Sequence, residues 1–277
     1  MDKYLTSNGI RLCYQDLGDS SREAILLIAG LGEQLGEWPN GFCASLSAHH
    51  RVIRYDNRDI GLSDRMSGQS YSLNDMAKDA LGLLDALAIE KAHVVGMSMG
   101  GMIAQILTAE NPQRVSSLCL LMTSSGKPGL PGPSAEVEEI MLKKTDGTVD
   151  GFIENWVEGK RRLDSPAYPS NDNELYRRAK ANCKRSYNPG GYVRQHIAIT
   201  TNGSRVKHAE KISCPSVIIH GIDDPLIPFQ CSEDLASLIK NSRLELIEGM
   251  GHNLPEELHT RLTTSILENI RNAGRTC

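Results

Sequence analysis

The sequence predicts an α/β protein: a mostly parallel central sheet flanked by helices, with a helical cap inserted ahead of the last two strands. Three observations predict it. Short aliphatic runs alternate with amphipathic stretches, as in a parallel sheet with helices on both faces. A Gly-x-Ser-x-Gly pentapeptide stands between one such run and a following helix. Between residues 127 and 208 the alternation breaks into Pro/Gly-rich and then charged, helical sequence.

Ala24–Ala29 and Arg51–Tyr55 open the strand series. The clearest helix spans Ser72 to Ala88: Ser72 can cap it, Asp75 three residues on makes a capping-box variant, and Leu73, Met76, Ala80, Leu84 and Leu87 form one apolar stripe. His93–Met97 is the next strand, followed by a helix containing Ala104 to Glu110 that Pro112 helps to end. Ser116–Met122 continues the sheet. After Pro128, Pro131, Gly132 and Pro133, charged helical segments run over Glu136–Lys144, Gly151–Arg162 and Glu174–Lys184. Strands resume at Pro215–His220 and Arg243–Ile247, with helices over Phe229–Lys240 and Asn253–Asn272. The near-continuous apolar strands suit burial on both faces. Residues 1–126 and 209–277 are therefore expected to form the core, and 127–208 its cap.

A chain of 277 residues is long enough for one such domain with an insertion. Its 40% hydrophobic and 23% charged content is that of an ordinary globular protein. A formal charge of −4 disfavours binding to nucleic acid or anionic membrane, which needs an excess of Lys and Arg. Met1 to Gly9 offers neither the basic nor the apolar region of a signal peptide. The longest apolar run, Ala24 to Leu31, falls far short of the roughly 20 residues that span a bilayer. Cys13, Cys43, Cys119, Cys183, Cys214, Cys231 and Cys277 contain no Cys-x-x-Cys pair. Their odd number predicts free thiols and a cytoplasmic location.

The sharpest signal is Gly96-Met97-Ser98-Met99-Gly100, with Gly101 next. Between strand and helix this motif is a nucleophile elbow: the serine sits in a strained turn that lifts its hydroxyl above the sheet. The flanking glycines leave room where a β-carbon would collide with the turn. The Met99 N–H, at the start of the helix, is then placed to stabilise an oxyanion.

A serine nucleophile needs a histidine to take its proton. Eight histidines compete. His49 and His50 lie in a polar turn, His93 opens a strand, His196 and His208 belong to the cap or its exit, and His220 reads as a satisfied buried residue. His252 lies in Gly249-Met250-Gly251-His252-Asn253-Leu254-Pro255, a glycine-flexed loop at the C-terminal end of a strand, where ligand sites of open α/β sheets collect. His259 is the runner-up, within the last helix. In folds with such a nucleophile elbow the acid precedes the histidine in the chain. His220-Gly221-Ile222-Asp223-Asp224-Pro225 supplies two adjacent aspartates; Asp224 is preferred for its spacing from Gly221, with Asp223 the alternative. The other loop that could carry the acid, Thr123-Ser124-Ser125-Gly126, has no carboxylate. A second oxyanion donor is expected from Leu31 in Ala29-Gly30-Leu31-Gly32, after the first strand.

The ordered set of Gly30, Tyr55-Asp56-Asn57-Arg58, Gly61, Ser63, the elbow, Asp224 and His252 resembles the α/β-hydrolase fold superfamily over nearly the whole chain. Arg54 to Asp59 and Gly249 to His252 look most like its aclacinomycin methylesterase-like, carboxylesterase branch. Many relatives have His-Gly where this chain has Ala29-Gly30, which a backbone donor tolerates. Haloalkane dehalogenases and epoxide hydrolases of this fold use an aspartate nucleophile, which Ser98 rules out. The resemblance implies ester hydrolysis through Ser98, His252 and Asp224.

Gly30, Leu31, Trp38, Met97, Met99, Trp156, Leu226 and Ile227 are candidate pocket residues. The Asp56/Arg58/Gly61/Ser63 loop reads as a turn pinned by a buried ion pair. Lys160-Arg161-Arg162, Arg177-Arg178 and Lys184-Arg185 read as solvated helix faces. Metal, Rossmann and Walker signatures are absent from the sequence, so neither metal nor cofactor is expected. The expected partner is a small-molecule ester. The same triad could instead run perhydrolysis or carbon–carbon cleavage, and an intact triad without turnover would mark a ligand receptor.

Overall fold

The computed structural model describes residues 1–144 and 146–274. Eight strands form one sheet: β1 (Lys3–Ser7), β2 (Ile10–Leu17), β3 (Ala24–Ile28), β4 (Arg51–Tyr55), β5 (Ala92–Met97), β6 (Val115–Leu121), β7 (Ser216–Gly221) and β8 (Ser242–Ile247). Their order is β1-β2-β4-β3-β5-β6-β7-β8, antiparallel through β1, β2 and β4 and parallel from there on. Because β3 is followed by β4 on one side and β5 on the other, the winding reverses at β3/β5. The crevice above those two strands is where ligands of open α/β sheets bind.

Alternation along the strands divides the core. Leu26, Ile28 and Val94 face α2 (Leu73–Ala86), α3 (Met99–Glu110) and α9 (Gln230–Leu238). Ile25, Leu27 and Val95 face α1 (Asn40–Ser47) and α10 (His259–Ala273). Five helices lie between β6 and β7: α4 (Ala135–Leu142), α5 (Val149–Arg162), α6 (Asp172–Arg185), α7 (Pro189–Asn202) and α8 (Val206–Ala209). Ile153 and Val157 of α5 pack against Leu175 and Ala179 of α6, a small core of their own.

The α2 N-terminus carries the expected capping box, with Ser72 and Asp75 exchanging side-chain and backbone bonds. Other expectations are corrected. The strand series starts earlier, with a hairpin turning at Asn8-Gly9, both at positive φ. This is the dipeptide that favours two-residue hairpin turns. β8 is an edge strand and mostly half-buried, so it is not covered on both faces. The last helix begins at His259, because Asn253–Pro255 remains in the preceding loop and a 3-10 turn, Glu256–Leu258, intervenes.

Asp56 and Arg58 pin their turn through other partners, not each other. Asp56 accepts the Leu35 and Leu62 amides and pairs with Arg185 at 2.7 Å. Arg58 makes a bidentate pair with Asp79 of α2, both bonds 2.6 Å and both side chains buried. The basic clusters are not wholly solvated either. Lys160 reaches Glu33 at 2.8 Å, Arg178 bonds Glu37, and Arg185 reaches Asp56, fastening α5 and α6 to the loops after β3 and β4. Arg161, Arg162 and Arg177 do lie at the surface.

Cys13, Cys43, Cys119, Cys183, Cys214 and Cys231 are free thiols, while Cys277 lies outside the described residues. No helix among the described residues is long and apolar enough to cross a membrane.

Candidate active site

Ser98 occupies the turn between β5 and α3 at φ 54° and ψ −121°, a left-handed conformation that costs a non-glycine residue of order 1–3 kcal/mol. The turn is held from both sides: the Ser98 N–H donates to the Leu121 carbonyl at 2.9 Å, and Thr123 Oγ1 donates to the Ser98 carbonyl at 2.8 Å. The motif's glycines answer to close approach. A β-carbon on Gly96 would lie 2.4 Å from the Gly100 carbonyl oxygen, and one on Gly100 only 2.0 Å from that of Ile28.

The loop after β3 faces this turn, with the Cβ position of Gly30 only 3.5 Å from Ser98 Cβ. Its amides are largely engaged: Gly30 donates to Glu33 Oε2, Gly32 to Gln195 Oε1 and Glu33 to the Gly30 carbonyl. Among the described residues the Leu31 and Met99 N–H groups have no protein acceptor. Both are thus free for a ligand oxygen.

Asp224 and His252 meet at the ends of β7 and β8. His252 Nδ1 lies 2.6 Å from Asp224 Oδ2, and Asp224 Oδ1 accepts the Leu226 and Ile227 amides at 2.9 Å each. Burial works against the Asp224 charge, but His252, then His220, hold its carboxyl far below the ordinary carboxylate range. Asp223 Oδ2 instead accepts the Gly249 N–H at 2.8 Å. His259 sits at the head of α10, against Phe42, with Nε2 3.2 Å from the Leu254 carbonyl.

Part of this arrangement joins residues with no local signal in the sequence. His220 is buried and hydrogen-bonded to Ser232 Oγ and the Ile227 carbonyl, as a satisfied core histidine would be, yet its Nε2 is also 3.2 Å from Asp224 Oδ2. The loop bearing His252 hangs from the turn after α5: His252 N–H donates to the Leu163 carbonyl at 2.8 Å and Gly251 N–H to Ser165 Oγ at 2.9 Å. Glu33 and Lys160 line the cavity as an ion pair. Burial opposes the Glu33 charge, but Lys160 and the Gly30 N–H hold its carboxyl below the usual range.

Ser98 and His252 open onto one cavity of about 680 Å³, within the size range of small-molecule sites. Gly30, Leu31, Trp156 and Leu226 line it as expected, together with Met141 and Tyr192 from the helices above. Trp156 itself is flanked by Lys160 and Arg178, 5.3 and 5.6 Å from its ring centre. Trp38, Met97 and Ile227 do not line it. Trp38 is fully buried and stacked on Phe42, and Met97 follows Val95 into the same apolar layer below the sheet. Ile227 packs against the opposite core layer. The Met99 side chain is likewise core, so only its backbone faces the site. Among the described residues, one group of side chains could hold a metal: Glu23, His50 and His93, at the other end of the sheet.

Residues 23–257 match the family described as alpha/beta hydrolase fold. Rhodomycin D methylesterase DauP from Streptomyces sp. (strain C5) is 31% identical, with 98% of each chain covered. 2-Hydroxymuconate semialdehyde hydrolase from Pseudomonas sp. (strain CF600) is 29% identical over 88% of this chain and 84% of its own. Among solved structures, a meta-cleavage product hydrolase from Pseudomonas fluorescens IP01 (CumD) superposes with a TM-score of 0.81 at 23% identity, over 98% of each chain.

Proposed function

The chain belongs to the alpha/beta hydrolase fold family, and from that membership we propose that it is a serine carboxylesterase acting on small-molecule esters through Ser98, His252 and Asp224. The observation that carries the reading is the 2.6 Å contact between Asp224 Oδ2 and His252 Nδ1, with His252 and the strained Ser98 opening onto one cavity. A proton on Nδ1, shared with the carboxylate, leaves Nε2 as the base.

In this mechanism His252 takes the Ser98 proton as Oγ attacks the ester carbonyl. The Leu31 and Met99 N–H groups stabilise the oxyanion. Collapse expels the alcohol, which takes its proton from His252, and water then hydrolyses the acyl-enzyme by the same path. The apolar lining and the 31% identity to a named methylesterase favour a short- to medium-chain or other small-molecule ester. Residues 127–208 serve as the cap that shapes this pocket. The six free thiols fit a reducing, cytoplasmic setting.

The test is hydrolysis of p-nitrophenyl esters from acetyl to dodecanoyl by wild type and Ser98→Ala. Turnover with an optimum at short or medium chains that disappears in Ser98→Ala supports the esterase. Turnover that persists in Ser98→Ala overturns the triad. Cleavage of carbon–carbon substrates in preference to esters, read by product analysis, would favour the second reading suggested by the semialdehyde hydrolase relative.

A further inference from the structure

We propose that Glu23, His50 and His93 form a binding site for a divalent transition-metal ion, at the end of the sheet opposite Ser98. Strand register brings the three together. Ala24 of β3 pairs with Arg51 of β4 on one side and Ala92 of β5 on the other. Glu23 and His50 are the residues just before Ala24 and Arg51, tied by the Arg51 N–H donating to the Glu23 carbonyl at 3.0 Å. Ile25, Val52 and Val95 all belong to the core layer beside α1 and α10. Glu23, His50 and His93 each lie two residues earlier, so the period-two alternation of strands turns them to the same side.

Their donor atoms converge. One ligand atom from each lies within 4.8 Å of the others, and Glu23 Oε2 is 3.5 Å from His93 Nε2. Two ligands of a tetrahedral zinc ion, at its ordinary bond lengths, stand about 3.3 Å apart. The His50 and His93 rings meet edge-on, their centroids 5.8 Å apart. Glu23 is exposed and can follow an ion inward.

A second observation is independent of that spacing. His50 Nδ1 is buried without a hydrogen-bond partner, and His93 Nε2, on a side chain only 4% exposed, has only the exposed Glu23 carboxylate near it. Buried polar atoms without partners are uncommon and point to a ligand not yet accounted for. His93 is also held as metal-binding histidines are: its other nitrogen, Nδ1, lies 2.9 Å from Ser117 Oγ on β6, which fixes the ring with Nε2 toward Glu23. Two imidazoles and one carboxylate suit zinc, nickel or copper better than calcium or magnesium, which prefer oxygen ligands. Three protein ligands leave a position for water.

Ser98 lies five steps along the chain from His93, roughly 16 Å of strand, so the ion would not touch the reacting ester. It would clip together the entry ends of β3, β4 and β5.

The experiment titrates chelator-treated full-length protein with zinc chloride by calorimetry, counts zinc retained after gel filtration, and follows Tm. Glu23→Gln, His50→Gln and the double variant are compared with wild type; none of these positions belongs to the triad or the oxyanion loop. One equivalent of zinc is expected in wild type, with affinity reduced at least ~10-fold in each single variant. Excess zinc should raise Tm by about 5 °C in wild type and not in the double variant. Ser98-dependent ester hydrolysis should be unchanged in all of them. No retained zinc in wild type, or equal binding by wild type and the double variant, overturns the site.

Discussion

His252 is held to the helices above the sheet by its own backbone: its main-chain N–H donates to the Leu163 carbonyl at 2.8 Å, one residue past the end of α5. The neighbouring Gly251 N–H donates to Ser165 Oγ, and Ser165 Oγ bonds the Asn253 side chain. A β-carbon on Gly251 would strike the Asp164 carbonyl at 2.3 Å, so the loop and the turn are fitted backbone to backbone. Position of the imidazole therefore depends on a segment remote from it in sequence.

Ser165→Ala should show that dependence. It leaves the buried Gly251 N–H without its acceptor, a loss of about 1–3 kcal/mol in stability. Because the loop carries the proposed base, His252, kcat should fall about 10-fold or more, while a fluorophosphonate still labels Ser98 slowly. Urea unfolding and single-substrate kinetics measure the two effects. Wild-type kcat in Ser165→Ala would show that the loop holds its place without the turn.

The two aspartates at the end of β7 should separate cleanly. Asp224 accepts three hydrogen bonds, from His252 and the Leu226 and Ile227 amides, and lies 3.2 Å from His220 Nε2, whereas Asp223 accepts the Gly249 amide. Asp224→Asn should lower kcat by about 10⁴-fold, the effect of forcing the wrong histidine tautomer. Asp223→Asn should cost less than about 10-fold, since its bond is solvent-exposed. Steady-state kinetics on one p-nitrophenyl ester decides between them.

What could be read in advance follows from how local each signal is. The elbow at Ser98 is five residues whose glycines are enforced by contacts within the turn and with β3, so its sequence carries its geometry. Asp224 and His252 each lie in the short glycine-containing stretch after a strand, three residues past Gly221 and directly after Gly251, again a local pattern. Trp38 failed as a pocket residue because an aromatic side chain in a loop reads the same whether it faces a ligand or, as here, stacks on Phe42. Lys160–Glu33 and Arg185–Asp56 join residues more than 120 positions apart, and nothing local separates such cations from a solvated helix face. The Asn8-Gly9 hairpin was available as a turn signal, but β1 is mostly exposed and lacks the aliphatic run that marks the inner strands.

Arg58 and Asp79 test the part of the design that serves stability alone. Their bidentate pair is buried under the loop after β4 and does not line the cavity. Arg58→Met leaves an uncompensated carboxylate and should destabilise the fold by about 3–5 kcal/mol. Activity per folded molecule should stay within about threefold, since stability and the site are separate here. Equilibrium urea unfolding, paired with titration of active sites, distinguishes lost molecules from impaired ones.

Glu33 links pH to the loop after β3. Its carboxylate bonds Lys160 of α5 at 2.8 Å and accepts the Gly30 N–H at 3.1 Å, one residue before Leu31, the proposed oxyanion donor. Because its folded-state pKa lies below the ordinary ~4.3, the folded protein binds the charged form more favourably than the unfolded chain does. The contribution to stability is therefore complete above about pH 4.3 and is lost as pH falls through the lower folded-state value. Glu33→Gln removes the charge at every pH. It should be less stable than wild type by about 1–3 kcal/mol at neutral pH, and the two unfolding curves should converge in acid below pH 4. At neutral pH the variant should also lose kcat more than it raises KM, because a loosened Leu31 amide weakens the transition state more than substrate binding. A stability gap independent of pH would mean that the ion pair with Lys160 contributes nothing and that only the side-chain packing matters.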